Sequence, residues 1–240
     1  MRKRLSALLS PRIDPLDPLP TPAHPDLLAI DLGCGAAKRP GSIGLDLEPA
    51  PGVDHVLDLS RDRLPFEADS VGDVFSSHFI EHLEDPTALF QELGRVCAHR
   101  ARFELWTPFA WHDTAVFLEH KSWWTHQFWM HVVWEHWQVW RKRLGTRWHV
   151  DEFVYVIEPH MQQQLRDRGL DLRFSVDHLM NVVSEFGVRG WIDKDDGDQE
   201  PTLPIRCYAA SRADSYRTRY PLDGQSRLSL GAPLRQLLRR

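Results

Sequence analysis

A chain of 240 residues and 27.9 kDa can bury one sizeable core with a small appendage, and 42% hydrophobic with 26% charged residues is ordinary for a soluble globular protein. A net charge of -5 and a pI near 6.2 give no electrostatic basis for nucleic acid as the main partner, so none is expected. Cys34, Cys97 and Cys207 are odd in number, far apart and without a CxxC pair, which excludes a disulfide framework and a zinc ribbon.

The opening MRKRLSALLS starts like a secretion signal, but Pro11 and Pro15 cut its apolar stretch short of an h-region. No apolar run reaches bilayer length, so a cytoplasmic protein without membrane contact is expected. Residues 1–25 are Pro-rich and read as an extended arm. From Leu27 the short apolar runs LLAIDLG, SIGLDL, HVLDL and VGDVFSSH recur between Gly, Pro and charged residues, the pattern of buried parallel strands. EDPTALFQELGRVC places Leu89, Phe90, Leu93 and Val96 at helical spacing behind Pro86, and ARFELWTP reads as a fifth strand. Strands alternating with helices predict an α/β fold with a doubly wound, mostly parallel sheet.

Residues 109–150 break the pattern with a Trp- and His-rich stretch, read as a mostly helical insertion after the fifth strand. Met130, Val133, Trp134, Trp137, Trp140 and Leu144 form an apolar stripe there. It suits packing on the core, a homodimer contact, a lid over an apolar substrate or, with Arg141–Arg143 beside it, a membrane surface. PHMQQQLRDRGL reads as a helix ended by Gly169, and VDHLMNVVSEFG as one ended by Gly187. VRGWIDKD and IRCYAASR follow as the last two strands. The domain is expected over 26–213, and the Arg-rich 214–240 as a loosely ordered tail.

The chemistry concentrates in AIDLGCGAAKRPGSIGLDLE. A strand ending at Asp31 runs into Gly33-Cys34-Gly35, where the main chain is free of side-chain bulk and a nucleotide-like ligand can approach closely. The next strand ends in Asp46, a carboxylate placed to accept both ribose hydroxyls. Lys38 stands where the third glycine of a GxGxxG fingerprint would fall, which argues against NAD.

With VDHVLDLSRDRLPFEADSVGDVFSSHFIEHLEDPTALFQELGRV, this stretch resembles the class I, Rossmann-like S-adenosylmethionine-dependent methyltransferases of the small-molecule type, over about residues 27–108. The resemblance implies S-adenosyl-L-methionine as cofactor. Asp31, Gly33 and Gly35 would cradle its methionine part, Asp46 bind the ribose and Leu47 pack on the adenine. Asp58 and Leu59 match the third-strand motif that meets the adenine amino group, and Ser77 and His78 the mouth where cofactor and acceptor meet. CAHRARF replaces the Pro-Gly-Gly-like turn such proteins have before the fifth strand.

The expected reaction is methylation of an oxygen or nitrogen on a small molecule or peptide, in the setting of natural-product biosynthesis. His112, Asp113 and His120, just past the fifth strand, are the candidate bases. No metal ligand is assigned. Two other classes compete. His78-x-x-Glu81-His82 fits the H-x-x-E-H zinc-peptidase signature, in which one helical face carries both histidines and Glu81 is the base. The other is a non-catalytic cofactor-binding protein.

Overall fold

The apolar runs become strands because each is nearly continuous in β-favouring residues and is cut off by Gly, Pro or charge. The computed structural model describes residues 24–195, 197, 200–216 and 220–222. The strands are β1 (Leu28–Leu32), β2 (Ile43–Asp46), β3 (His55–Val56), β4 (Val71–Ser77), β5 (Cys97–Pro108), β6 (Arg147–Val156), β7 (Glu185–Asp193), β8 (Ile205–Ala209) and β9 (Tyr220–Pro221). They form one nine-stranded sheet in the order β3-β2-β1-β4-β5-β7-β6-β8-β9. The pairs from β3 to β5 are parallel, β7 runs against both β5 and β6, and β6 is parallel to β8. The chain winds outward from β1 to β3, then returns to place β4 on the other side of β1. That reversal is the switch point at which open α/β sheets bind ligands.

Helix α1 (Thr87–Val96) begins behind Pro86 and buries Leu89, Phe90, Leu93 and Val96 against a core containing Ile30, Leu32, Val74 and Phe103. Between β5 and β6 lie a 3-10 turn (Asp113–Val116), α2 (His126–Met130), a π turn (His131–Glu135) and α3 (Trp137–Leu144), which stops at Gly145 with φ 77°. Trp129 and Trp148 pack on Phe90 and Phe103 with ring centroids 4.7–6.4 Å apart, distances at which aromatic pairs attract beyond their buried area. In the stripe expected on this segment, Val133, Trp137 and Leu144 are buried, and Met130 and Trp140 pack partly against the core. This face is covered by the chain's own core. Among the described residues no helix is long and apolar enough to cross a membrane.

Two sequence expectations need correction. The stretch read as helical to residue 150 ends earlier, because 147–156 form β6. The helix expected over VDHLMNVVSEFG stops at His178: helix α5 is Leu172–His178, after α4 (Pro159–Asp167), and Glu185–Gly187 open β7. Gly187 does not end a helix; a Cβ there would stand 2.6 Å from the Trp106 ring, so the glycine lets that indole lie flat on the neighbouring strand.

Arg189 of β7 is buried and ion-paired with Glu104 of β5 at 3.2 Å and Glu152 of β6 at 3.1 Å. It also donates to Ser215 Oγ at 2.8 Å, while Tyr216 bonds Glu104. Residues Asp214–Tyr216 thus pack on the sheet, and Tyr220–Pro221 pair with β8. The arm expected over 1–25, apart from His24 and Pro25, and the tail expected over 214–240, apart from 214–216 and 220–222, lie outside the described residues.

Candidate functional site

The turn after β1 is built by hydrogen bonds from its own residues. Gly33 and Cys34 donate from their main-chain N–H groups to Leu45 O at 2.8 and 3.1 Å, and Gly35 N donates to Asp46 Oδ2 at 2.8 Å. Gly33 (φ 63°) and Gly35 (φ 50°) are both left-handed, a conformation that suits glycine. A Cβ on Gly33 would lie 2.3 Å from the Cβ of Phe79, whereas nothing lies within 4 Å of one on Gly35. One glycine therefore seats a phenylalanine and the other opens onto free space. Asp31 is buried, its Oδ2 accepts from Arg39 N at 2.7 Å, and burial raises its carboxyl above the usual range despite that bond and the nearby Arg39 and Lys38 charges. Leu47, next to Asp46, is 60% exposed, a large apolar side chain left on the surface beside that carboxylate.

Asp31, Gly33, Gly35, Asp46 and Leu47 thus share the carboxyl edge of β1 and β2, beside the switch point. A sulfonium amino-acid nucleoside suits this donor set: open main chain at Gly35, a carboxylate at Asp46 and an apolar platform at Leu47. Past β3, Asp58 is engaged locally. Its Oδ1 accepts from Ser60 N and Oγ at 3.0 and 2.5 Å, bonds that hold its pKa below the usual carboxylate value. Leu59 is buried in the core rather than turned to this edge.

Ser77 ends β4, and His78 follows in a left-handed conformation (φ 54°), uncommon for a residue with a side chain and frequent at functional sites. His78 Nε2 lies 2.9 Å from Glu185 Oε1, and its Nδ1 is 3.3 Å from Glu81 Oε1, close enough for an ion pair but not aligned as a hydrogen bond. The two carboxylates push the His78 pKa up to about 9. Glu185 is held at about 2: burial would raise it, but hydrogen bonds from His78 and Arg212 outweigh that. Arg212 grips both Glu185 oxygens, at 3.0 and 3.2 Å, and donates to Ser77 Oγ at 2.6 Å.

This network forms one wall of a cavity of about 560 Å³ along the same carboxyl edge. Pro108, Phe117 and Val156 supply apolar wall, and Glu81, His112 and His120 also line it. The three candidate bases part company here. Asp113 does not line the cavity; its Oδ2 accepts from Asn181 Nδ2 at 2.9 Å, and its N–H donates to Asn181 Oδ1 at 2.9 Å. His112 caps a 3-10 turn, with Thr114 N 3.3 Å from Nδ1. Accepting there puts the neutral ring's proton on Nε2, making it a donor. His120 leans Nδ1 on Ala115 O at 3.3 Å, which leaves Nε2 with the lone pair.

The peptidase-like reading of HFIEH does not survive the geometry. Residues Ile80–His82 form a single 3-10 turn after the left-handed His78, so His78 and His82 share no helical face. His78 turns to Glu185 while His82 packs edge-on against His120. Glu185 and Arg212 went unnoticed in the sequence. Nothing local marks them, since they reach the site through the reversed β7 and the loop after β8, 107 and 135 residues from the partners they bind.

Residues 47–104 match the family model described as a methyltransferase domain. No curated protein sequence matches the chain. Among solved structures, a chain from the complex between the Haloferax volcanii Trm112 methyltransferase activator and a candidate methyltransferase is similar at TM-score 0.47 and 16% identity, over 81% of this chain and 90% of that one. An S-adenosylmethionine-dependent methyltransferase from Mesorhizobium loti is similar at 0.43 and 16%, over 72% and 93%. A SAM-dependent methyltransferase from Archaeoglobus fulgidus is similar at 0.46 and 13%, over 69% and 86%.

Proposed function

We propose that this chain is a class I S-adenosylmethionine-dependent methyltransferase that methylates an oxygen or nitrogen of a small molecule or peptide held in the cavity between His78 and Phe117. The observation that carries this reading is the cavity itself. At about 560 Å³ it lies within the range of small-molecule sites, and it combines apolar walls with a few convergent polar groups. It opens on the same sheet edge as the glycine turn, so both substrates meet above the ends of β1 and β4.

When bound, the cofactor supplies an electrophilic methyl group on a sulfonium. The chain's own share is placement. Asp46, oriented by the Gly35 N–H, would hold the cofactor's ribose, the open space at Gly35 would let it approach the main chain, and Leu47 would offer a platform for its base. His78 and Arg212, tied to Glu185, keep the shared wall rigid and polar, while Phe117 and Pro108 keep water from the acceptor side. Holding two reactants in line converts a bimolecular encounter into an effectively unimolecular step, which can supply about 7–11 kcal/mol of the barrier. His120, whose Nδ1 is engaged by Ala115 O so that Nε2 carries the lone pair, is the group on this wall suited to handle the acceptor's proton.

Calorimetric titration with S-adenosylhomocysteine tests the cofactor half, and a labelled-cofactor screen of hydroxyl and amine acceptors tests the other. Asp46→Ala should weaken binding about ten- to a hundredfold, the worth of one or two hydrogen bonds to a charged group, about 1.5–3 kcal/mol. Equal affinity in parent and variant would remove Asp46 from the site.

A further inference from the structure

Glu81 is 1% exposed; its one ion-pair partner among the described residues is His78, whose Nδ1 lies 3.3 Å from Oε1 without the alignment of a hydrogen bond, so its carboxylate oxygens keep acceptor capacity. Buried carboxylates are tolerated where they are hydrogen-bonded, well paired or bound to a metal. Beside Glu81 stands His82, and across from it His120, the two imidazoles edge to face with centroids 4.9 Å apart. One ligand atom from each of Glu81, His82 and His120 lies within 4.8 Å of the other two.

Both rings are oriented from behind. His82 Nδ1 lies 3.2 Å from Glu119 O and His120 Nδ1 3.3 Å from Ala115 O. With each Nδ1–H donating to a carbonyl, the Nε2 lone pairs are left for a cation, the arrangement that fixes tautomer and direction in metal-binding histidines. The two segments are also fastened together. Lys121 N and Ser122 N both donate to Glu81 O, at 2.7 and 3.1 Å, and Ser122 Oγ donates to Ile80 O at 3.3 Å. His120 is therefore held over Glu81 by main-chain bonds rather than by chance of a loop.

We propose that Glu81, His82 and His120 form a site for a divalent transition metal, zinc or a first-row neighbour, on the rim of the acceptor cavity. Two imidazoles and one carboxylate are the ligand set of open zinc sites, in which water or substrate takes the remaining position. Glu81 and His120 both line the cavity, so that position faces the acceptor. An acceptor hydroxyl bound there would lose its proton at a lower pH than in water, and His120 would act as ligand in place of base. This role rests on the acceptor reading above; the metal site itself does not. Two other groupings of ligand residues differ in kind. His131, Glu135 and His136 are all exposed, and the imidazole of His99 is already ion-paired with Asp193 and Asp195.

The test is a Co2+ titration of the full chain after dialysis against a chelator, with neither cofactor nor acceptor present, so failure of the acceptor reading cannot affect the result. The parent should develop visible d–d bands that saturate at one equivalent and disappear on adding Zn2+. His82→Ala and His120→Ala should each weaken binding at least about tenfold, by analogy with the loss that outer-shell changes already cause. His131→Ala should leave it unchanged. Circular dichroism establishes that each variant folds, and the two histidine variants carry the test if Glu81→Gln does not fold. Bands that never form, that persist in both His82→Ala and His120→Ala, or that vanish in His131→Ala would overturn the site.

Discussion

Gly33→Ala puts one methyl group where the turn after β1 has no room for it. The residue sits at φ 63°, where a side chain costs about 1–2 kcal/mol. The new Cβ would also stand 2.3 Å from both Cβ and Cγ of Phe79, the near end of a partly buried ring that cannot swing clear, and overpacking of this kind costs about 1–3 kcal/mol. Together these predict a loss of about 2–5 kcal/mol, or a fall in Tm of about 4–20 °C for a chain of this size. Urea unfolding followed by circular dichroism measures it. The two contributions separate in a double-mutant cycle, because Gly33→Ala with Phe79→Gly removes both clashing atoms and so relieves the clash but not the backbone strain. The double variant should therefore be more stable than the sum of the singles by about 1–3 kcal/mol. Additivity within about 0.5 kcal/mol would refute the contact, and a single variant as stable as the parent would refute both contributions.

Arg189→Met removes the buried cation that is ion-paired with Glu104 and Glu152, so it should cost about 3–5 kcal/mol in urea unfolding. Adding Glu104→Gln and Glu152→Gln should recover much of that loss; a triple variant less stable than Arg189→Met would show that the arginine is not balancing those charges. His126 gives a pH signature of its own. Burial pulls its pKa down to about 4, below the unfolded value of about 6.5, so the unfolded chain takes up the proton first and stability falls as pH drops from about 6.5 to about 4. For this half-buried ring, allowing for solvent screening, the effect is roughly 1–2 kcal/mol. Thermal melts across that window should flatten in His126→Phe, and parallel curves for parent and variant would assign the acid sensitivity elsewhere.

The first four strands, β5 and helix α1 were legible because each is announced locally: Gly33 and Gly35 after an apolar run, Asp46 at a strand end, Pro86 before a 3.6-residue repeat. β6 was legible in principle, since Phe153-Val-Tyr-Val156 is a β-branched and aromatic run. It was hidden by the Trp-rich stretch before it, whose helical period was carried too far. The helix expected up to Gly187 failed for a different reason. Leu172–His178 does form, but Glu185–Asp193 gains hydrogen bonds from two neighbouring strands, and that tertiary pairing outweighs local propensity. The polar wall of the cavity was illegible for the same cause. His78, Glu185 and Arg212 come together only because β7 is reversed, and no spacing in the sequence encodes that.

The reversal of β7 also divides the molecule into regions that can change independently. The glycine turn, Asp46 and Leu47 are drawn from the first 50 residues, whereas most of the cavity wall comes from residues beyond Pro108. His78 and Glu81, just past β4, are the lining residues drawn from before Pro108. Substitutions from Thr114 to His120 or around Ser184 therefore reshape the cavity while the glycine turn and Asp46 stay unchanged. A library built on those two segments alone should yield variants that differ in acceptor and agree in their affinity for S-adenosylhomocysteine.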